Sequence, residues 1–532
     1  MNKSDWQEDL VFTSQRQRKG FGFTSKPVKS LDVRVRVRAM WGVFIVGISL
    51  IAAKILYLQI VERGQHQLTS YSNHIELLRE NAPRGVVYDR NGIALTINRE
   101  VEGKYVREYP LKEAIAPVLG YLSEVQSGEL GCSEGLCYQM GMSVGRTGIE
   151  KIMESRLRGR DGGRLVEVDS AAQEIRELGN NKPEAGDDIH LSIDSRLEKI
   201  MYDALGGKKG SAVAIDMQGK VLGLVSSPAY DPSQIEDYLS DKDKLYFLNR
   251  AIAATYPPGS VFKLVTGIAG LSEDKIDRDT QFEDTGEIKV GIYRYGNWYF
   301  DQYGRTEGSI GLTRALARSN DIYFYNVGEE VGVDKIVYWA RKFGLGQKTG
   351  IELPGEAAGL VPDRLWKERA TGEKWFLGNT YHLAIGQGDL LATPVQVARM
   401  TLAAISGRVC QVSLFKDSAI KCPDLGISSE HLELIREGMK GACAAGGTAF
   451  PFFEFAPWVL CKTGTAQHSG QNANDPKDIA GNVLPHAWIT MAYPGENPEM
   501  VLTVMLESAG EGSAEAGPVA KAILEQWRGF GK

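Results

Sequence analysis

The sequence predicts an α+β protein with a single N-terminal transmembrane helix, a mixed β-rich spacer domain and a larger domain built on one sheet. Three observations carry that reading. An apolar run from Ala39 to Ile60 is about as long as a helix needs to be to cross a bilayer. Short, turn-rich segments follow, without sustained helical periodicity. Then two strand patterns lie in 210–227, three lie in 457–508, and helical patterns fill most of the space between. One mixed sheet assembled from both ends of the domain is expected.

The elements follow in order. Residues 1–38 hold nine Lys or Arg against four acids and end in RVRVR, Arg34 to Arg38. With little apolar patterning they read as a disordered tail. The run AMWGVFIVGISLIAAKILYLQI carries one charge, Lys54, near its far end, where the stem can snorkel outward. A buried soluble helix is the alternative, but the length of the run and its basic flank favour a membrane anchor. No small-residue cleavage site closes it, so the anchor is read as uncleaved. Positive-inside logic places the N-terminus in the cytoplasm and residues 61–532 outside the cell membrane. Residues 61–186 form the spacer, including APRGVVYDRNG (Ala82 to Gly92), and show no chemistry of their own. Residues 187–532 form the second domain. It opens with a hairpin in GSAVAIDMQGKVLGLVSS that turns at Met217-Gln218-Gly219, continues as mostly helix from about 243 to 450, and closes with three strands and a helix.

Composition excludes several classes. The net charge of −6 offers no basic surface for nucleic acid. The seven histidines form no His-Glu-x-x-His pattern and the six cysteines no Cys-x-x-Cys, so no metal site is expected. Cys132 with Cys137 and Cys410 with Cys422 are candidate disulfides. Free buried cysteines fit equally well, because sequence does not fix connectivity.

Candidate chemistry begins at YPPGSVFKLVTG, Tyr256 to Gly267. Pro257, Pro258 and Gly259 end one element, so a helix is expected to begin near Ser260. Ser260 then fits a plain N-cap. It also fits a nucleophile, with Lys263 on the same helix face as a base whose pKa an apolar setting would lower. Ser-x-x-Lys recurs at Ser272/Lys275, Ser413/Lys416 and Ser418/Lys421. The first lies in an acidic loop, and the other two lack a helix start. CKTGTA, Cys461 to Ala466, follows an apolar strand. Lys462, Thr463, Gly464 and Thr465 there offer a cation, hydroxyls and close backbone approach at a strand edge. A second Lys-Thr-Gly at Lys348 is bounded by Gly and Pro-Gly and reads as a loop. Ser319, Asn320 and Asp321 precede a helical pattern and fit a cap and turn. His486, on a strand, is read as structural rather than as a general base.

Taken together, Ser260-x-x-Lys263, then Ser319-Asn320-Asp321, then Lys462-Thr463-Gly464 resemble the penicillin-recognising serine acyltransferases. NRAIAATYPPGSVFK, KTGIELPGE, AIGQGDLLATPVQVA, RGVVYDRNG and GRTGIEKIMESRLRG extend the likeness, from about residue 80 to the end, to class B penicillin-binding proteins. The texture is closest to elongation-type members, the penicillin-binding protein 2 group. The resemblance implies a penicillin-binding transpeptidase domain whose central, mostly antiparallel sheet is flanked by helices, set on a pedestal-like spacer. It implies Ser260 as the nucleophile, Lys263 as its base, Ser319 as a proton relay, and Lys462, Thr463 and Thr465 as holders of a substrate carboxylate. Backbone N–H groups of Ser260 and Thr465 would form the oxyanion hole. Asp321, grouped with Thr463, Gly464 and Thr465 as substrate-binding, stands where the family usually has Asn, with Asn320 one place early, and its influence on Lys263 stays open. The implied substrates are peptidoglycan stem peptides, with β-lactams as covalent inhibitors and no cofactor. The implied partner is a membrane glycosyltransferase of the shape, elongation, division and sporulation class. A carboxypeptidase or β-lactamase of the same fold, a penicillin-sensing receptor and an inactive scaffold are the alternatives.

Overall fold

The computed structural model describes residues 33–62, 74–101, 103–133, 136–169, 172–241, 243–468, 475–479 and 481–530. The tail read as disordered lies almost wholly outside the described residues. Helix α1, Val33–Ile60, is 28 residues long, exposed along its length and without acidic residues. At 1.5 Å per residue it reaches about 42 Å, more than the roughly 30 Å of a bilayer's hydrocarbon core. It takes in the whole of RVRVR, ahead of the apolar run, because arginine is a good helix former. Hydropathy marks the apolar part of such a helix and not its backbone limits.

The chain packs as two compact units, residues 1–78 with 165–179, and residues 79–164 with 180–532. The first holds α1. Strands Ile75–Glu80, Gly162–Val168 and Glu174–Asn181 make a three-stranded sheet in that order. The second unit carries the rest of the spacer, where short strands and turns surround a buried ionic cluster. Arg84 donates to Glu150 Oε2 and Glu154 Oε2, both at 2.6 Å. Arg107 donates to Glu150 Oε1 at 2.8 Å. The second unit is also where the larger sheet lies. Its strands are β1 (Gly210–Asp216), β2 (Val221–Ser227), β3 (Leu460–Ala466), β4 (His486–Tyr493) and β5 (Met500–Leu506), in the order β2-β1-β5-β4-β3.

Every neighbouring pair in this sheet is antiparallel, so the sheet is not mixed. β4 and β5 are joined by residues 494–499 alone, too short a link for a parallel crossover, and β5 then lies against β1. Alternation sorts the two faces. Ala212, Ala214, Leu502 and Val504 join a core with helices Ser195–Leu205 (α2) and Gly517–Arg528. Val213, Ile215, Val501 and Met505 face the larger helical lobe. That lobe contains α3 (Lys263–Ser272), α4 (Leu312–Arg318), α5 (Asp321–Val331), Pro394–Ser406 and α6 (Ser429–Cys443).

The stretch 243–450 is less helical than expected. Gln281–Asp284 pairs with Gly308–Gly311, and Glu287–Val290 pairs with Tyr293–Gly296. The sequence between Gln281 and Phe300 turns at Gly286 and Gly291, both at positive φ, and its aromatic and branched residues favour strand. The six cysteines pair as Cys132–Cys137, Cys410–Cys422 and Cys443–Cys461. The first two were candidates from sequence. The third joins the last residue of α6 to β3, a proximity that exists only in the fold.

Candidate active site

The turn before Ser260 is built by close backbone approach. Gly259 has φ +59°, and a Cβ there would lie 2.9 Å from Thr465 O, so glycine is required. A short 3₁₀ turn, Gly259–Phe262, runs into α3. Ser260 is half-buried, and its hydroxyl caps nothing: among the described residues it makes no hydrogen bond. Its N–H lies in the first turn, where helical acceptors are missing. Of the two readings open in sequence, the plain N-cap is absent.

Lys263 opens α3 and is fully buried. Its Nζ donates to Ser319 O at 2.8 Å, Ser319 Oγ at 3.4 Å and Asp321 Oδ1 at 2.7 Å. Burial pushes its pKa down, and the Asp321 carboxylate opposes that shift. Ser319 ends α4 with φ +53°, a left-handed geometry that costs a non-glycine residue roughly 1–2 kcal/mol. The turn is held from both sides. Asn320 caps α5 by accepting from Tyr323 N, and its amide donates to Asp284 Oδ2 at 2.8 Å. Asn297 donates to the same carboxylate oxygen at 3.0 Å. Asn320 therefore builds the turn, while Ser319 and Asp321 face Lys263. Asp321, grouped with the substrate-binding residues from sequence, lies on the lysine instead of on the strand edge. Its second oxygen accepts from Trp298 N at 3.3 Å.

Lys462 lies on β3, the edge strand, and is fully buried. Its Nζ donates to Ser319 Oγ at 2.8 Å and to Thr463 O at 3.0 Å. Burial pushes its pKa far down, the Lys263 charge pushes it further, and Asp321 offsets part of this. The residues on either side of Lys462 are tied to one neighbouring segment. Cys461 is bonded to Cys443, and Thr463 Oγ1 shares a 2.7 Å hydrogen bond with Thr448 Oγ1. Thr465 Oγ1 accepts from Gly512 N at 3.3 Å. A Cβ on Gly464 would meet Pro258 O at 3.0 Å, so β3 presses directly on the nucleophile turn.

The competing motifs stay apart from this cluster. Ser413 Oγ donates to Glu352, Ser418 is held by Lys220, and Ser272 ends α3. Thr349 of the second Lys-Thr-Gly bonds Glu356 within its loop. His486 accepts from Ser508 N through Nδ1 at 3.0 Å and stacks on His468. Burial holds its pKa near 3, so it is a neutral structural acceptor.

A half-buried serine at a helix start, two buried lysines converging on a second serine and an edge strand beside them bring together the groups that a serine acyltransferase needs. The penicillin binding protein transpeptidase domain matches residues 210–525, and the penicillin-binding protein dimerisation domain matches residues 100–191. The chain belongs to the penicillin-binding protein transpeptidase family. It is 30% identical to peptidoglycan D,D-transpeptidase MrdA of Escherichia coli K12, over 93% of this chain and 94% of that protein. The crystal structure of Pseudomonas aeruginosa PBP2 in complex with WCK 5153 matches with a TM-score of 0.72 at 32% identity, over 85% of this chain and 96% of that one. A chain from a peptidoglycan synthase complex, described as coordinating polymerization and crosslinking, matches with a TM-score of 0.74 at 27% identity, over 93% and 98%.

Proposed function

We propose that this protein is a membrane-anchored peptidoglycan D,D-transpeptidase of cell-wall elongation, cross-linking stem peptides through an acyl-enzyme on Ser260. The observation that carries the reading is the convergence of Lys263 Nζ and Lys462 Nζ on Ser319 Oγ, at 3.4 and 2.8 Å. Two buried amines share one carboxylate, and the downward push is the stronger at Lys462; a substrate carboxylate bound at Lys462 draws the proton there from Lys263 through Ser319, which both amines bond, and leaves Lys263 neutral. Neutral Lys263 takes the Ser260 proton as Oγ attacks the penultimate D-Ala carbonyl. The N–H groups of Ser260 and Thr465 hold the oxyanion. Ser319, hydrogen-bonded to both lysines, passes a proton to the leaving D-Ala amine. Lys462, Thr463 and Thr465 hold the terminal carboxylate, whose charge restores the ammonium form of Lys462. An amine of a neighbouring strand then displaces the ester. β-Lactams acylate Ser260 as substrate mimics, and the chemistry asks for no cofactor.

Helix α1 is the single-pass anchor, with the basic N-terminus cytoplasmic and the cleft outside. The parts are a tail at 1–38, an anchor at 39–60, a spacer at 61–186 and a catalytic domain at 187–532. A membrane glycosyltransferase is the partner class, supported by the likeness to the synthase complex. Fluorescent penicillin tests the acyl-enzyme. Wild type is labelled and Ser260→Ala is not; a folded wild type that stays unlabelled defeats the reading. Product analysis with a defined stem peptide and an acceptor amine then separates cross-linking from carboxypeptidase hydrolysis.

A further inference from the structure

The loop that follows helix Leu377–Ala384 touches both walls of the oxyanion hole. Gly259 N donates to Gly386 O at 2.8 Å, on the nucleophile side. The next residue, Gln387, donates from Nε2 to Thr465 O at 3.0 Å, on the strand side. The loop is itself anchored: Thr266 Oγ1, one turn along α3 from Lys263, donates to Ala384 O at 2.7 Å. Gln387 N donates to His382 O at 2.8 Å. A Cβ on Gly386 would lie 2.1 Å from Gly259 O, so the contact is as close as backbone allows. In an antiparallel strand the N–H and C=O of one residue leave on the same side. The Thr465 carbonyl meets Gln387 off the open edge of β3, so the Thr465 N–H points off that edge as well.

We propose that Gln387 is a positioning residue for acyl transfer, fixing the Thr465 N–H at its distance from the Ser260 N–H. This rests on the acyl-transfer reading. One side chain then spans the two halves of the hole: its backbone neighbour grips the serine turn and its amide grips the strand. Losing the amide leaves Ser260 and Lys263 in place, and Lys462 and Thr463 pinned beside the Cys443 bond and the Thr448 hydroxyl, but lets the Thr465 end of β3 drift. A small misplacement of one donor costs about 10²-fold in rate.

The test compares wild type, Gln387→Ala and Gln387→Met in the full chain, measuring the acylation rate constant for a penicillin separately from its initial binding constant. Both variants are expected to acylate about 10²-fold more slowly, with initial binding changed less than threefold. Affinity for a peptide boronic acid, whose tetrahedral adduct fills the hole, is expected to fall in parallel. Methionine keeps the volume of glutamine without its donor. Full rescue by Gln387→Met, or a loss confined to initial binding, overturns the proposal and leaves Gln387 a packing or substrate-contact residue. A wild type that is not acylated at Ser260 defeats the underlying reading instead.

Discussion

In the spacer, Arg84 and Arg107 face Glu150 and Glu154, whereas in the cleft Lys263 and Lys462 share, among the described residues, the one carboxylate of Asp321. Both clusters are buried, yet Arg84 and the two lysines shift in opposite directions. The carboxylates around Arg84 outweigh its desolvation and raise its pKa. One carboxylate between two lysines does not, and both lysine pKa values fall. The difference lies in charge count and in chemistry. Guanidinium holds its proton at any working pH and forks onto carboxylates, whereas a buried amine gives its proton up. The first arrangement holds segments together by fixed charge, and the second suits the base of the proposed mechanism.

The comparison can be broken in four ways, from the largest effect to the smallest. Lys263→Arg puts spacer chemistry in the cleft. Acylation by a penicillin, followed by rapid quench, is expected to fall by 10⁴-fold or more, since the base can no longer be neutral. Glu150→Gln removes the carboxylate shared by both arginines. Unfolding of the unit that contains residues 79–164 should become easier by about 3–5 kcal/mol, read by denaturant melts of the full chain, with acylation per folded molecule preserved. Replacing Cys443 and Cys461 by Ala opens an 18-residue link. It should cost about 3 kcal/mol and slow acylation as well, because Lys462 lies next to the bond.

The smallest change is Asp321→Asn. Lys263 acts when neutral, so acylation rises as pH passes its pKa. Asp321 raises that pKa, so removing the charge should move the acid limb of the pH–rate profile to lower pH, by about one unit. A limb that moves upward would refute the assignment of Asp321 as the lysine's counter-charge.

Much of this was legible in the sequence. The hairpin at 210–227, the late strands and the order of the three motifs follow from alternation and from turn residues, which are local signals. The spacer cluster was not legible. Arg84, Arg107, Glu150 and Glu154 sit on separate segments, and each alone reads as a solvated charge. Asp321 was visible as a departure from the family pattern, but its orientation depends on a left-handed Ser319 that only the packed turn explains. Gln387 is one unremarked polar residue within AIGQGDLLATPVQVA, because its meaning is the gap between two distant stretches of chain.

The Cys443–Cys461 bond has a consequence for where this enzyme can exist as an enzyme. The strand that presents Lys462 is pinned through a sulfur on one side and through the Thr463 hydroxyl on the other. A chain held among reducing thiols, as in the cytoplasm, lacks the first pin. With the cleft on the outer side, as proposed above, the bond that pins the Lys462 strand would form only after the chain has crossed, so that crossing the membrane and completing the strand become one event.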